Sequence, residues 1–193
     1  MPNQENKVRF NLKNVHYAPL TFTVGQGGTV THAWGTPVHV PGAVSLDLAA
    51  ESELTPFYAD GVVYYRSASN NGYSGSLEMA RFTDQMLQDI WGFVLGNTSM
   101  VLTENAFVDP QSFALLYQID GDADNEYYVL YNVSGTRPNI GSNTTEDTKE
   151  PVTQTSDIAA IPMMDNGNVF ARTTANTPAA TKAAWFTSVF EEA

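Results

Sequence analysis

Residues 113–133 read FALLYQIDGDADNEYYVLYNV, and this stretch decides the fold class. Before its acidic middle, Phe113, Leu115, Tyr117 and Ile119 stand at alternate positions. After it, Tyr127, Val129, Tyr131 and Val133 do the same. A period of two puts every second side chain on one face of a strand. The middle, DGDADNE, is then a connection between two strands, with Asp120-Gly121 as turn chemistry. Its alternating carboxylates also match the opening of a calcium loop, with Asp120, Asp122 and Asp124 at positions 1, 3 and 5. Such a loop further needs Gly at position 6, Glu at position 12 and helices on both sides. Asn125 and Tyr131 occupy those places here, between strands. The expectation is an acidic hairpin tip, Asp120, Asp122, Asp124 and Glu126, with no bound metal.

The same alternation recurs on either side. Val8, Phe10 and Leu12 alternate with Arg9, Asn11 and Lys13, and a second extended piece runs from Val15 to Ala18. Gly25-Gln-Gly-Gly28 is a flexible turn into Val30–Trp34. Val38, Val40, Val44, Leu46 and Leu48 continue the pattern around a bend at Pro41-Gly42. Residues 61–82 read as a hairpin, with Val62–Tyr65 entering and Leu77, Met79 and Arg81 returning. Asn71-Gly72 supplies the positive φ angles of its turn. Val152–Pro162 and Val169–Thr174 read as a last strand pair joined by Asp165-Asn-Gly167.

Two segments change period. Met86, Leu87, Ile90, Trp91 and Val94 form one stripe, which predicts a helix over about 84–95, capped by Thr83 or Asp84 and stopped by Gly96-Asn97. A short C-terminal helix is expected from Pro178, with an inward stripe of Ala184, Trp185 and Val189 that Phe186 and Phe190 could extend. The sum is one mainly β domain over 1–193, an antiparallel sandwich or barrel with a flanking helix. Residues 1–6 read as an arm, and 51–60 and 139–150 as extended loops.

The chain has 193 residues and no cysteine, which removes disulfides and thiolate metal sites. Nine basic residues against 21 acidic ones give a net charge of −12. Such a surface repels phosphate backbones, so sequence-specific nucleic-acid binding is not expected. No apolar run reaches the roughly 18 residues of a membrane helix, and residues 1–7 lack a signal-peptide core. The expected place of assembly is a cytoplasm, where the sequons at Asn97, Asn132 and Asn143 have no glycosylation meaning.

Catalytic sets are missing. The three histidines, His16, His32 and His39, accompany no Gly-x-Ser-x-Gly elbow. His32 and His39 flank the Gly35-Thr-Pro37 bend and could meet, with His16 nearby, as a zinc site; partly solvated strand histidines are the expectation. Asp47, Glu53, Asp60 and Glu78 have no distinctive context for glycoside cleavage. Gly25-Gln-Gly-Gly28 lacks the Lys-Ser/Thr ending of a phosphate loop. No cofactor is expected. Trp34, Trp91 and Trp185 suggest a sugar-stacking platform, against which two of them lie on helix faces where burial is the default.

The order of segments carries a resemblance. NKVRFNLKNVHYA at 6–18, VPGAVSLDL at 40–48, TPFYADGVVYYRSASNNGYSGSLEMA at 55–80, FALLYQIDGD at 113–122 and YVLYNVSGTRPNIGSNTTEDTKEPVTQT at 128–155 form one set. Together they resemble the major tail proteins, or tail-tube proteins, of bacteriophages with long non-contractile tails. That resemblance implies a non-enzymatic virion protein, assembled in the host cytoplasm, whose hexameric rings stack into a tube. DNA passes through the tube without specific binding. It also implies tape measure, tail terminator and distal tail or baseplate proteins as partners. Proteins of this kind use an excursion to reach a neighbouring subunit, and Pro56, Phe57, Tyr58 and Asp60 are the candidates for it. The other reading of these aromatics is a loop folded back on its own domain. The alternative function is a carbohydrate-binding β-sandwich of a phage or surface adhesin, suggested by Trp34, the tyrosines and the acidic tip. A hydrolase with dispersed carboxylates is a third.

Overall fold

The computed structural model of the chain describes residues 5–144 and 150–192. At its centre are β8 (Phe113–Gly121) and β9 (Glu126–Gly135), paired antiparallel with Leu115 opposite Leu130 and Tyr117 opposite Tyr128. The two tyrosine rings stack 5.1 Å apart and 3° from parallel. Alternation along β8 feeds two apolar cores. Phe113, Leu115 and Tyr117 enter one, and Ala114 and Leu116 enter the other. A strand buried on both faces reads as a continuous apolar run, as FALLY does.

β1 (Arg9–Val24) lies against β8 as one long strand. The break expected near residue 14 is instead two bulges. Asn11 and Asn14 adopt φ of 62° and 53°, where the register against β8 shifts. Asparagine tolerates this left-handed region better than most side chains. Along the other edge of β1 lie β2 (Val30–Trp34) and then β3 (Val38–His39). Pro41-Gly42 turns the chain into β4 (Ala43–Ala59), which pairs with β5 (Val62–Met79). β10 (Gln154–Ala160) joins β5 to β9, giving the order β2-β1-β8-β9-β10-β5-β4. The sheet folds over itself, so that Leu46 and Leu48 of β4 pack into the same core as Leu12 of β1. This is the antiparallel, sandwich-like architecture expected.

Helix α1 (Asp84–Trp91) closes that first core with Met86, Ile90 and Trp91. Thr83 caps it, its hydroxyl accepting from the Met86 N–H at 3.2 Å. The helix ends four residues earlier than its apolar stripe suggests. Gly92 takes the left-handed conformation at φ 67°, and a Cβ there would stand 2.3 Å from Val108 Cγ1. Val94–Leu95 is instead strand β6, paired with β7 (Leu102–Thr103).

Three further expectations are corrected. The hairpin of 61–82 does not turn at Asn71-Gly72, because β5 runs straight through it; the fold-back is at Asp60-Gly61. The last two strands do not pair with each other. β10 and β11 (Phe170–Arg172) lie one after the other along the same edge of β9, which leaves residues 161–169 as a connection over the sheet. Helix α2 (Ala179–Ala184) is short, with Pro178 as its N-cap residue rather than its first turn. Ala184, expected inward, is exposed, and the residues expected to continue its helical stripe lie beyond the helix; Trp185, Phe186, Val189 and Phe190 nonetheless pack on the second core. Of the expected arm at 1–6, residues 1–4 lie outside the described residues, as do 145–149 of the expected loop at 139–150. Residues 139–144 have no regular structure.

Candidate functional site

Pro56, Phe57, Tyr58 and Asp60 lie at the far end of the β4–β5 ribbon. They do not form a loop, because Ser52 to Ala59 is paired strand against Val62 to Asn70. Asp60 and Gly61 make the turn with φ of 51° and 76°, the double left-handed geometry of a two-residue hairpin. Pro56 sits on the edge strand, where a missing N–H is tolerated. The pairing sets Phe57 against Tyr65 and, after a register irregularity, Tyr58 against Val63. Period-two alternation turns Val62 and Tyr64 to the opposite face.

This ribbon projects as an arm. β10 covers β5 only from Tyr73 to Met79, so from Asn70 outward two strands extend without a third among the described residues. Leu54, Phe57, Tyr58, Val62, Tyr64 and Tyr65 are each 60–73% exposed, and they occupy both faces. The aromatics are therefore not folded back on their own domain. A lone two-stranded ribbon is marginally stable in water. Covering each of these side chains is worth about 1.5–3 kcal/mol. The arm's apolar surface is thus available to a second molecule. Its root is fixed: Gly72 has φ 100° where β5 leaves the sheet, and the Glu51 carboxylate accepts a hydrogen bond from the Ser74 hydroxyl.

The acidic tip is built differently from the loose, solvated hairpin end its composition suggests. Its four carboxylates each have their own protein partners. Asp120 takes Lys13 Nζ at 2.7 Å and Asn11 Nδ2 at 2.8 Å. The Lys13 ammonium holds its carboxyl below the usual range. Asp122 accepts the Lys7 N–H at 2.8 Å, which lowers it likewise. Asp124 pairs with Lys182 of α2. Glu126 is buried beneath Arg9 at 2.9 Å, Arg172 at 3.3 Å, the Tyr128 hydroxyl at 2.6 Å and Asn6 Nδ2 at 3.1 Å. Burial alone would raise its carboxyl; the tyrosine, Asn6 and the two guanidinium groups together hold it below the usual range. Asn6 also brackets the turn, accepting from the Ala123 and Asp124 N–H groups and donating to the Asp124 carbonyl at 2.8 Å. The tip is a knot tying the N-terminal segment and α2 to the central hairpin. Among the described residues, no three His, Asp or Glu side chains group as ligands for one ion.

The remaining candidates separate. His16 and His39 meet across β1 and β3 with rings 4.8 Å apart, while His32 is engaged by Asp165 and Glu191. Trp91 and Trp185 are buried in different cores. Trp34 donates to the Tyr131 carbonyl at 3.2 Å and packs on His32, so the three indoles form no platform. Asp47 and Glu53 lie apart along β4 at about 3.3 Å per residue, Asp60 is in the turn beyond it, and Glu78 is held by Ser45 at 2.8 Å and Thr153 at 2.5 Å. Comparison with protein-family models gives no match, and no curated protein matches the chain.

Proposed function

We propose that this protein is a structural, self-assembling subunit of a phage tail tube. Copies join into hexameric rings, and the rings stack into a conduit through which DNA leaves the particle. The observation that carries this reading is the β4–β5 arm, a projecting ribbon with aromatics on both faces that no other segment among the described residues buries. Exposed apolar surface of this extent marks a site for another protein. The outer edge of β4, unpaired among the described residues, points the same way, since such an edge is a template for another chain. An arm that fits a surface elsewhere on an identical molecule makes a heterologous contact, which propagates rather than closing as a pair. The ordered segments that resemble tail-tube proteins turn this general assembly reading into a particular one. The acidic balance suits a channel that DNA must traverse without adhering. Tape measure, terminator and distal tail proteins are the further partners the proposal implies.

Negative-stain electron microscopy of the purified protein over a concentration series is the test. Rings or tubes are expected. Monodisperse monomer at every concentration, with and without tail components, sinks the proposal.

A further inference from the structure

We propose that the C-terminal segment, residues 187–192, is a strap clamped onto the sheet by protonated His32 and loosened when that ring is neutral. This inference does not depend on the assembly reading. His32 lies on the outer strand β2, opposite Phe22 of β1. Its Nδ1 is 2.5 Å from Asp165 Oδ2 in the 161–169 connection, and its Nε2 is 2.9 Å from Glu191 Oε1. One imidazole thus bridges two carboxylates from segments 133 and 159 residues away in sequence. The ring side chain is only 11% exposed.

The chemistry of this bridge is one-sided. Ionised carboxylates only accept hydrogen bonds, and a neutral imidazole has a single N–H to donate. With the ring neutral, one nitrogen lone pair faces a carboxylate lone pair. With the ring protonated, both contacts become charge-assisted hydrogen bonds. The docked strap therefore binds the charged ring better than an undocked strap does. A charged ring, with an N–H for each carboxylate, therefore favours the docked strap.

The surroundings support the assignment. Burial would raise the Asp165 carboxyl, but the His32 hydrogen bond and its own backbone N–H hold it below the usual range, so it stays an acceptor. From β9, Tyr131 is pushed up to about 12 by burial and by Glu191 and Glu192, and it remains neutral near pH 7. From β2 itself Trp34 packs on the ring at 4.2 Å. On the other side of the strap, His16 stacks on Phe186 at 4.5 Å, and burial holds that imidazole below its usual value. The near end of the strap is fixed by a contact that does not titrate in this range, Trp185 Nε1 donating to the Tyr128 carbonyl at 3.2 Å. Val189 and Phe190 rest on the apolar cluster that holds Trp34 and Phe22. Lifting residues 187–192 uncovers that cluster while the hinge at Trp185 holds.

Hydrogen exchange of the full chain read by mass spectrometry tests this, comparing peptides over 186–193 and over β8 at pH 6 and pH 8 after correction for intrinsic rates. In the wild type, protection of the C-terminal peptide relative to the β8 peptide is expected to fall about five- to tenfold from pH 6 to pH 8, as charge-assisted bonds are lost. In Glu191→Gln the ratio is expected to stay flat, because an amide can accept from a charged ring or donate to a neutral one. A wild-type ratio that does not change with pH overturns the proposal, and so does an unchanged pH dependence in Glu191→Gln.

Discussion

The carbonyl oxygen of Ala160 lies 1.9 Å from the place that a Cβ on Gly72 would occupy. Gly72 also has φ 100°, which L side chains rarely adopt. The close approach lies where β10 stops covering β5 and the arm leaves the sheet. Glycine is therefore required there by both space and backbone conformation. Gly72→Ala is expected to cost roughly 2–4 kcal/mol. For a chain of this size that lowers the melting temperature by roughly 5–15 °C. Calorimetry checks it; an unchanged transition would mean that β5 does not pass β10 so closely.

The carboxylate knot predicts an acid limb in stability. Glu126 has a folded pKa below its unfolded one. Its contribution is present above the usual glutamate value of about 4.3 and is lost as pH falls through the lower folded value. Asp120 and Asp122 act in the same direction. Urea midpoints should therefore decline from about pH 4.5 downward. Glu126→Gln should flatten that decline and cost roughly 1–3 kcal/mol at pH 7, by weakening the bonds from Arg9, Arg172 and Tyr128. A midpoint curve that keeps the wild-type slope would place the acid sensitivity elsewhere.

Thr83 is the one side-chain cap of α1, and α1 carries Met86, Ile90 and Trp91 into the first core. Thr83→Ala should cost about 1 kcal/mol, and Thr83→Ser should restore most of it. Chemical denaturation of the three proteins decides this. Equal stability of the alanine and serine variants would show that the hydroxyl is not the stabilising group.

What the sequence discloses follows the range of the interaction involved. The β8–β9 hairpin and the inward stripe of α1 are legible because Tyr127, Val129, Met86 and Ile90 obey local periodicities. The end of α1 is not legible, because Val108, sixteen residues on, makes Gly92 the stop. Two dipeptides, Asp60-Gly61 and Asn71-Gly72, carry hairpin chemistry. Only the presence of β10 beside Tyr73–Met79 decides that the first one turns. The arm residues stand out in the sequence by type, but alternation cannot tell whether Phe57 and Tyr65 are covered, since coverage depends on where the neighbouring strands end. The role of Asn6 at the acidic tip is a contact across 118 residues, and its one local trace is Gly121, whose missing side chain leaves room for it.

The arm separates folding from assembly. Phe57 and Tyr65 pair across it and touch solvent on their outer sides, so Phe57→Ser with Tyr65→Ser removes little from the monomer. Its denaturation midpoint should shift by less than about 0.5 kcal/mol, the usual range for exposed positions. If the arm docks on a second copy, the same double change removes two aromatic anchors, each worth about 1.5–3 kcal/mol when covered. The concentration at which polymer forms should then rise at least about a hundredfold, at 1.4 kcal/mol for each factor of ten. Urea denaturation reads the first quantity and sedimentation velocity over a dilution series the second, both on one preparation run beside the wild type. Polymer forming at the wild-type concentration would remove the arm from the assembly contact. A large loss of monomer stability would show instead that these aromatics hold their own domain together.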